Sequence, residues 1–307
     1  MSDAIDKSRA KEDGALSPER PEFAFDPTDP WTITFQKGLE AAGLEGKNVY
    51  EVGVGTGTNV AFLLRMCKAK TVYGSDLDAR LPDLAERNVR ELVPQESSRF
   101  HPIKGSVSLI DNPDALEAIS KTDAVIACLP QVGDPNDDKL TAFREAQKAT
   151  LAQGTGGGNP AEDHVAHYYP WAMFDEYPYN SVGLGLNEAL LRRLKEKAPN
   201  AEVIMNFGAR IGTDILFEFF RSNGYEPQKL SSMVVHQHAG TDISFFVALE
   251  RSLKGTGVEN EFTAIFYADP DGKQKLSACE AQELIDKDPK TKLYHEVCTI
   301  RGKPVTE

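Results

Sequence analysis

Val49-Tyr50-Glu51-Val52-Gly53-Val54-Gly55-Thr56-Gly57-Thr58-Asn59 decides how this chain is read. A short apolar run ends in three glycines at alternate positions, and a segment with helical spacing follows. Glycine is needed where a backbone leaves a strand in a tight turn and a ligand comes close to the main chain. The spacing is G-x-G-x-G with an acid two residues before the first glycine, unlike the G-x-G-x-x-G of nicotinamide-binding loops.

Outward from this loop, strand and helix signals alternate. Asn48–Val52, Thr71–Ser75, Phe100–Ile103, Asp123–Cys128 and Glu202–Asn206 read as strands, with Ser231–Val235 and Ile243–Leu249 completing a sheet of seven. Helices are expected over Thr32–Gly43, about Asn59–Cys67, Leu81–Leu92, Gly185–Lys197 and Gly212–Asn223. Such alternation implies an α/β fold with a mostly parallel sheet and helices on both faces. Residues 1–30 read as a polar tail and 31–250 as the core. Residues 130–181 form an insertion rich in Gly, Pro, Asp and Asn after the fourth strand, where open sheets bind ligands, so it is expected to cover a substrate. Residues 251–307 read as a small α+β extension, with strand-like Phe262–Ala268 and Leu293–Ile300 around helix-like Ala278–Lys287; extending the sheet, packing on the insertion and mediating dimerisation are all open to it.

Composition narrows the function. The 307 residues carry 47 acidic and 34 basic side chains, a net charge of −13, which repels phosphate backbones. The densest basic group, Arg192, Arg193, Lys195 and Lys197, reads as a solvated helix end, so no nucleic-acid partner is expected. Cys67, Cys128, Cys279 and Cys298 form no CxxC pair, and His164, His167, His236 and His238 no HExxH, so no metal is expected. Charges begin at Asp3 and no run reaches the roughly 18 apolar residues of a membrane span, which predicts a cytoplasmic protein without a membrane partner.

The glycine loop and its preceding acid resemble motif I of the class I S-adenosylmethionine-dependent methyltransferases. The resemblance implies a Rossmann-like fold, S-adenosyl-L-methionine as cofactor and S-adenosyl-L-homocysteine as product. Glu51, Gly53, Gly55, Gly57, Thr58, Asn59, Asp76, Leu77, Ser106, Val107 and Leu129 are the cofactor-binding residues it implies. Glu51 would lie near the cationic end, and Asp76, closing the second strand, would accept the ribose hydroxyls.

The fourth strand ends Cys128-Leu129-Pro130-Gln131-Val132, not in the Asn-Pro-Pro-Tyr of amino-methylating relatives. Together with Gly183-Leu184-Gly185-Leu186, Asn206-Phe207-Gly208-Ala209-Arg210-Ile211-Gly212 and Thr241-Asp242-Ile243-Ser244, it resembles the methionine S-methyltransferases. The similarity runs from about Asn48 to Arg301 and matches the methyltransferase domain of the large plant enzymes without their aminotransferase-like portion. The compact bacterial form, which feeds dimethylsulfoniopropionate synthesis, is the nearer likeness. It implies L-methionine as substrate and leaves a homodimer open. An N-methyltransferase of a protein glutamine or nucleobase, or a cofactor-binding sensor without catalysis, are the competing readings.

A thioether has no proton to lose, so its methylation needs alignment and no general base. Arg210 is expected to bind the substrate carboxylate. Asp242 either holds the ammonium or only forms a turn with Thr241. Gln131 and Asn206 are expected to accept hydrogen bonds from a ligand. Tyr168, Tyr169 and Trp171 either stack around a sulfonium or belong to the core. Gln131, Tyr168 and Tyr169 are the candidates at the reacting atoms.

Overall fold

The apolar runs on either side of the glycine loop are too short for helices and are bounded by turn residues. In the computed structural model, which describes residues 29–131, 179, 182–237, 243–253 and 264–305, they pair as parallel strands. β1 (Asn48–Val52) lies between β2 (Thr71–Asp76) and β4 (Ala124–Ala127); β3 (Phe100–Ser106) flanks β2, and β5 (Glu202–Gly208) flanks β4. The chain order reverses between β1 and β4, so a crevice opens there at the carboxyl ends of the strands. β4 is buried throughout, as a strand covered on both faces must be.

Alternate residues point to opposite faces and build two cores. Val49, Ala124 and Ile126 pack with α1 (Pro30–Ala41), α2 (Thr58–Arg65) and α3 (Leu81–Leu92). Tyr50, Val125 and Ala127 pack with the other layer. That layer holds α4 (Pro113–Ile119), α5 (Gly185–Lys197), α6 (Thr213–Ser222), α7 (Ser244–Leu253) and α8 (Ala278–Lys287). Local chemistry sets the helix ends: the Asp29 carboxylate accepts the Thr32 N–H ahead of Pro30, and Ser277 with Glu280 forms a capping box on α8.

Three sequence expectations are corrected. Among the described residues the sheet has nine strands rather than seven. Ile243–Leu249 lies in α7 apart from its first residue, because Ile243, Phe246 and Val247 recur at helical spacing and face Phe266 and its neighbours; a short apolar run does not distinguish the two periods. Leu293–Ile300 does extend the sheet, one of the places open to it. It enters β9 (Tyr294–Pro304), which runs antiparallel between β5 and β6 (Tyr225–His236). Two short strands, β7 (Phe266–Tyr267) and β8 (Lys275–Leu276), continue the sheet from the start of β9. The expected Phe262–Ala268 strand thus contracts to two residues among the described ones. Helix α4 had no clear signal in the sequence. It is only seven residues long and depends on Asn112, whose side chain accepts the Asp114 and Ala115 N–H groups.

β9 is held from both sides. A Cβ on Gly38 of α1 would come within 2.5 Å of Thr299, and one on Gly302 within 2.6 Å of Phe220 of α6. Thr299 Oγ1 donates to Asn206 Oδ1 on β5 at 2.9 Å. The carboxyl-terminal segment is therefore part of the central core. Ile300→Ala, at a fully buried β9 position, is expected to lower the unfolding free energy by about 3 kcal/mol. It is also expected to shift one cooperative urea transition seen equally by near- and far-UV circular dichroism; a separate early transition would show this segment folding apart from the core.

Candidate functional site

The parallel strands end at one edge of the sheet, and every described candidate residue lies along that edge. The glycine loop folds back over β2: the N–H groups of Gly53 and Val54 both donate to the Ser75 carbonyl at 2.9 Å. Gly55 sits at φ +54° with open space where a side chain would project, and its N–H donates to Asp76 Oδ2 at 2.9 Å. Gly57, at φ +81°, caps α2, and a Cβ there would press against the Ala85 backbone at 3.0 Å. One glycine thus leaves the crevice open, and the other lets α2 and α3 close behind it.

The remaining cofactor candidates join this loop. Asn59 on α2 donates to Glu51 Oε1 at 3.0 Å. The Asp78 N–H donates to Asp76 Oδ1 at 3.0 Å, the Val107 N–H to the Asp76 carbonyl at 2.8 Å, and Ser106 Oγ to the Leu77 carbonyl at 2.6 Å. Leu129 lies 3.7 Å from the position of a Gly53 Cβ. Thr58 shares a hydroxyl contact with Thr56 at 3.1 Å. The Asp76 carboxylate takes backbone N–H groups of Gly55, Asp78 and Leu77, fewer than its roughly four acceptor positions, so acceptor capacity remains.

Glu51 carries the unusual electrostatics. It is 3% exposed, and its Oε2 has no hydrogen-bond partner among the described residues; neither does Asn59 Oδ1. Burial, opposed by the Asn59 hydrogen bond and aided by the Asp76 charge, pushes the Glu51 carboxyl up to about 8. Burial also lifts Asp76 to about 6, against the N–H groups it accepts. A buried carboxyl with one unpaired oxygen is a receptor for a cation, which repays its ionisation.

Across the end of β4 the chemistry changes sign. Arg210, in the turn after β5, donates from Nε to Gln237 Oε1 at 2.9 Å and from Nη2 to His295 Nε2 at 3.1 Å. Its Cζ lies 6.0 Å from the ring centres of Trp31 and of Phe246. Among the described residues it makes no ion pair, and burial draws it down to about 10, still a cation at neutral pH. Trp31 also covers Gly208, where a Cβ would meet its ring at 2.9 Å, and its ring lies 5.7 Å from that of His295.

Two residues expected at a ligand also carry structural hydrogen bonds. The Gln131 amide is spent on the Gly208 backbone: Oε1 accepts its N–H at 2.7 Å and Nε2 donates to its carbonyl at 3.1 Å. Asn206 is almost fully buried; Nδ2 donates to the Trp31 carbonyl at 3.3 Å and to Cys128 Sγ at 3.8 Å, and Oδ1 accepts from Thr299. Both side chains tie the end of β5 to its neighbours through these hydrogen bonds. Tyr168, Tyr169, Trp171 and Asp242 lie outside the described residues. The sequence did not single out Trp31, Gln237 or His295, since they reach Arg210 only through α1 and the β6–β9 pairing.

The order β3-β2-β1-β4-β5 with an antiparallel strand beside β5, and a glycine-floored crevice at the β1/β4 switch, define a class I S-adenosylmethionine-dependent methyltransferase fold. Within that class the chain is similar to curated methionine S-methyltransferases. It is 26% identical to that of Zea mays over 243 residues and 24% identical to that of Arabidopsis thaliana over 242, in each case 74% of this chain. It spans about a fifth of the length of these relatives, 21% in each case. No protein-family model matches the sequence. A methyltransferase of Geobacter sulfurreducens solved with S-adenosyl-L-homocysteine overlays with a TM-score of 0.39 at 13% identity, covering 90% of this chain and 92% of that one.

The Glu51 environment has a sign that can be measured. The folded protein holds this proton up to about pH 8, whereas an unfolded glutamate releases it near 4.5. The native state therefore binds more protons in that window, and stability falls as pH rises through it. Glu51→Gln removes this dependence, so its urea midpoint is expected to gain on that of the unsubstituted protein between about pH 5 and pH 8. Identical pH profiles would show that Glu51 is ionised in the folded protein.

Proposed function

We propose that this chain methylates the thioether sulfur of L-methionine from S-adenosyl-L-methionine, giving S-methyl-L-methionine and S-adenosyl-L-homocysteine. The observation that carries the reading is Arg210, a half-buried arginine beside the glycine-floored crevice whose described partners are all neutral. An α-amino-acid carboxylate is the group it lacks. The likeness to methionine S-methyltransferases supports the same substrate. By analogy with the compact bacterial form, the product would enter dimethylsulfoniopropionate synthesis.

The residues present fit the cofactor. The unpaired Glu51 oxygen and Asn59 Oδ1 suit its cationic end, the open side of Gly55 admits its backbone-hugging portion, and Asp76 retains acceptor capacity for ribose hydroxyls. When bound, S-adenosyl-L-methionine supplies a methyl group on a sulfonium, which a thioether sulfur accepts without losing a proton. The protein's own groups suit a reaction without a general base. His295 Nε2 is occupied by Arg210, the Gln131 and Asn206 amides are committed, and burial pushes the Cys128 thiol up to about 12, which keeps it protonated. Protonation also keeps Cys128 from competing as a nucleophile. Arg210 would fix one end of the substrate so that its sulfur points towards the crevice, the alignment that replaces acid–base chemistry here. Tyr168, Tyr169 and Trp171 of the 130–181 insertion would cover the sulfonium side, with Asp242 at the ammonium.

Incubation with methyl-labelled cofactor and free L-methionine is expected to yield labelled S-methylmethionine. Transfer to peptide or nucleic acid, with none to methionine, would reject the proposal. Arg210→Ala is expected to raise the methionine KM by about 100-fold, the cost of leaving a carboxylate unpaired, while S-adenosyl-L-homocysteine affinity stays within about twofold. Equal loss of both affinities would remove Arg210 from substrate binding.

A further inference from the structure

Around Arg210 the described residues supply more hydrogen-bond donors than acceptors. A guanidinium only donates, so His295 Nε2 must accept from it and the imidazole proton sits on Nδ1. That Nδ1 is buried and has no partner among the described residues, and the same is true of Gln237 Nε2. His295 is 2% exposed and Gln237 5%. Buried donors are normally paired, and the exceptions call for a missing acceptor. Both groups hang on the one cation: Gln237 lies just past β6 and His295 near the start of β9, where Val235 pairs with His295. The Gln237 N–H donates to the Leu293 carbonyl at 2.8 Å, which fixes the two segments relative to each other.

The choice of neutral partners matters. A carboxylate at either position would neutralise Arg210 and leave a ligand little to gain. A glutamine oxygen and an imidazole nitrogen instead orient the guanidinium and leave its charge available. Trp31 and Phe246, each 6.0 Å away, shield it from water and strengthen its attraction for an anion.

We infer that Gln237 and His295 are positioning residues that hold the Arg210 guanidinium, uncompensated, as a site for the carboxylate of an amino-acid substrate. The inference rests on the proposed function for the identity of that substrate, and on the donor surplus for its chemistry. One cation with neutral donors matches a monoanionic carboxylate, where a phosphate dianion calls for further cations.

The full-length chain, loaded with S-adenosyl-L-homocysteine, can be titrated by calorimetry with L-methionine and with L-methioninamide, which lacks the carboxylate. The unsubstituted protein is expected to prefer methionine strongly. Gln237→Glu places a competing carboxylate on Arg210, and His295→Phe removes both imidazole nitrogens while keeping a ring. Each is expected to weaken methionine binding by about ten- to a hundredfold, the loss of a hydrogen bond to a charged group, and to shrink the preference over methioninamide. Affinity for S-adenosyl-L-homocysteine should stay within about twofold, which also reports that the variant is folded. In turnover, the methionine KM should rise with little change in kcat. His295→Gln keeps an acceptor near the Nε2 position and is expected to recover part of the loss. If both variants bind S-adenosyl-L-homocysteine normally and keep the full preference for methionine, the positioning role is overturned. If the unsubstituted protein binds no carboxylate, it is overturned as well. If carboxylates bind and the variants lose them, yet methionine is never methylated, the positioning role stands and the methionine reading falls.

Discussion

Moving an ionisable group out of water is costly unless something nearby meets its charge, and the edge of this sheet does so twice, with opposite sign. Glu51 answers by keeping its proton, which burial raises to about 8. Arg210 cannot do the same, because a guanidinium stays protonated even when burial draws it down to about 10. One end of the edge is therefore a latent anion waiting for a cation, and the other a standing cation waiting for an anion. Cys128 lies between them, close enough to sense the Glu51 charge and to accept from Asn206. A reaction that brings a sulfonium to one end and a carboxylate to the other would satisfy both.

The scaffold holds these groups by spending other polar side chains on structure. Gln131 ties the segment after β4 to the end of β5, and Asn206 links α1, β4 and β9 through Trp31, Cys128 and Thr299. An amide locked by two or three buried hydrogen bonds has little freedom to follow a ligand, but it fixes the backbone from which Arg210 projects. Such rigidity would suit the proposed transfer to a thioether, in which alignment stands in place of proton transfer.

β9 is what brings partners to Arg210. An antiparallel strand next to β5 brings its starting end to the edge where the parallel strands finish, so His295 arrives beside Arg210 and β6 delivers Gln237. Helix α1 crosses the same strands on the opposite face through the Gly38–Thr299 contact and carries Trp31 over Gly208. Residues from both ends of the described chain thus meet around one guanidinium.

Local physics wrote much of this protein into its sequence. Three alternate glycines after a strand, an acid before them and an aspartate closing the next strand specify a turn, a crevice and its lining, because each depends on residues a few positions apart. The positions of β1 to β5 and of most helices follow from the same short-range periodicity, and Arg210 stood out as a cation at an awkward place. What sequence could not supply was every feature that depends on which strands lie side by side. The run Leu293–Ile300 has the same pattern whether it edges a sheet or divides one, and Ile243–Leu249 fits strand and helix alike. That Gln131 and Asn206 tie the end of β5 to its neighbours came into view only with their partners. Gln237 and His295 have meaning only beside Arg210, since an unpaired buried donor is a property of its surroundings and not of its residue type.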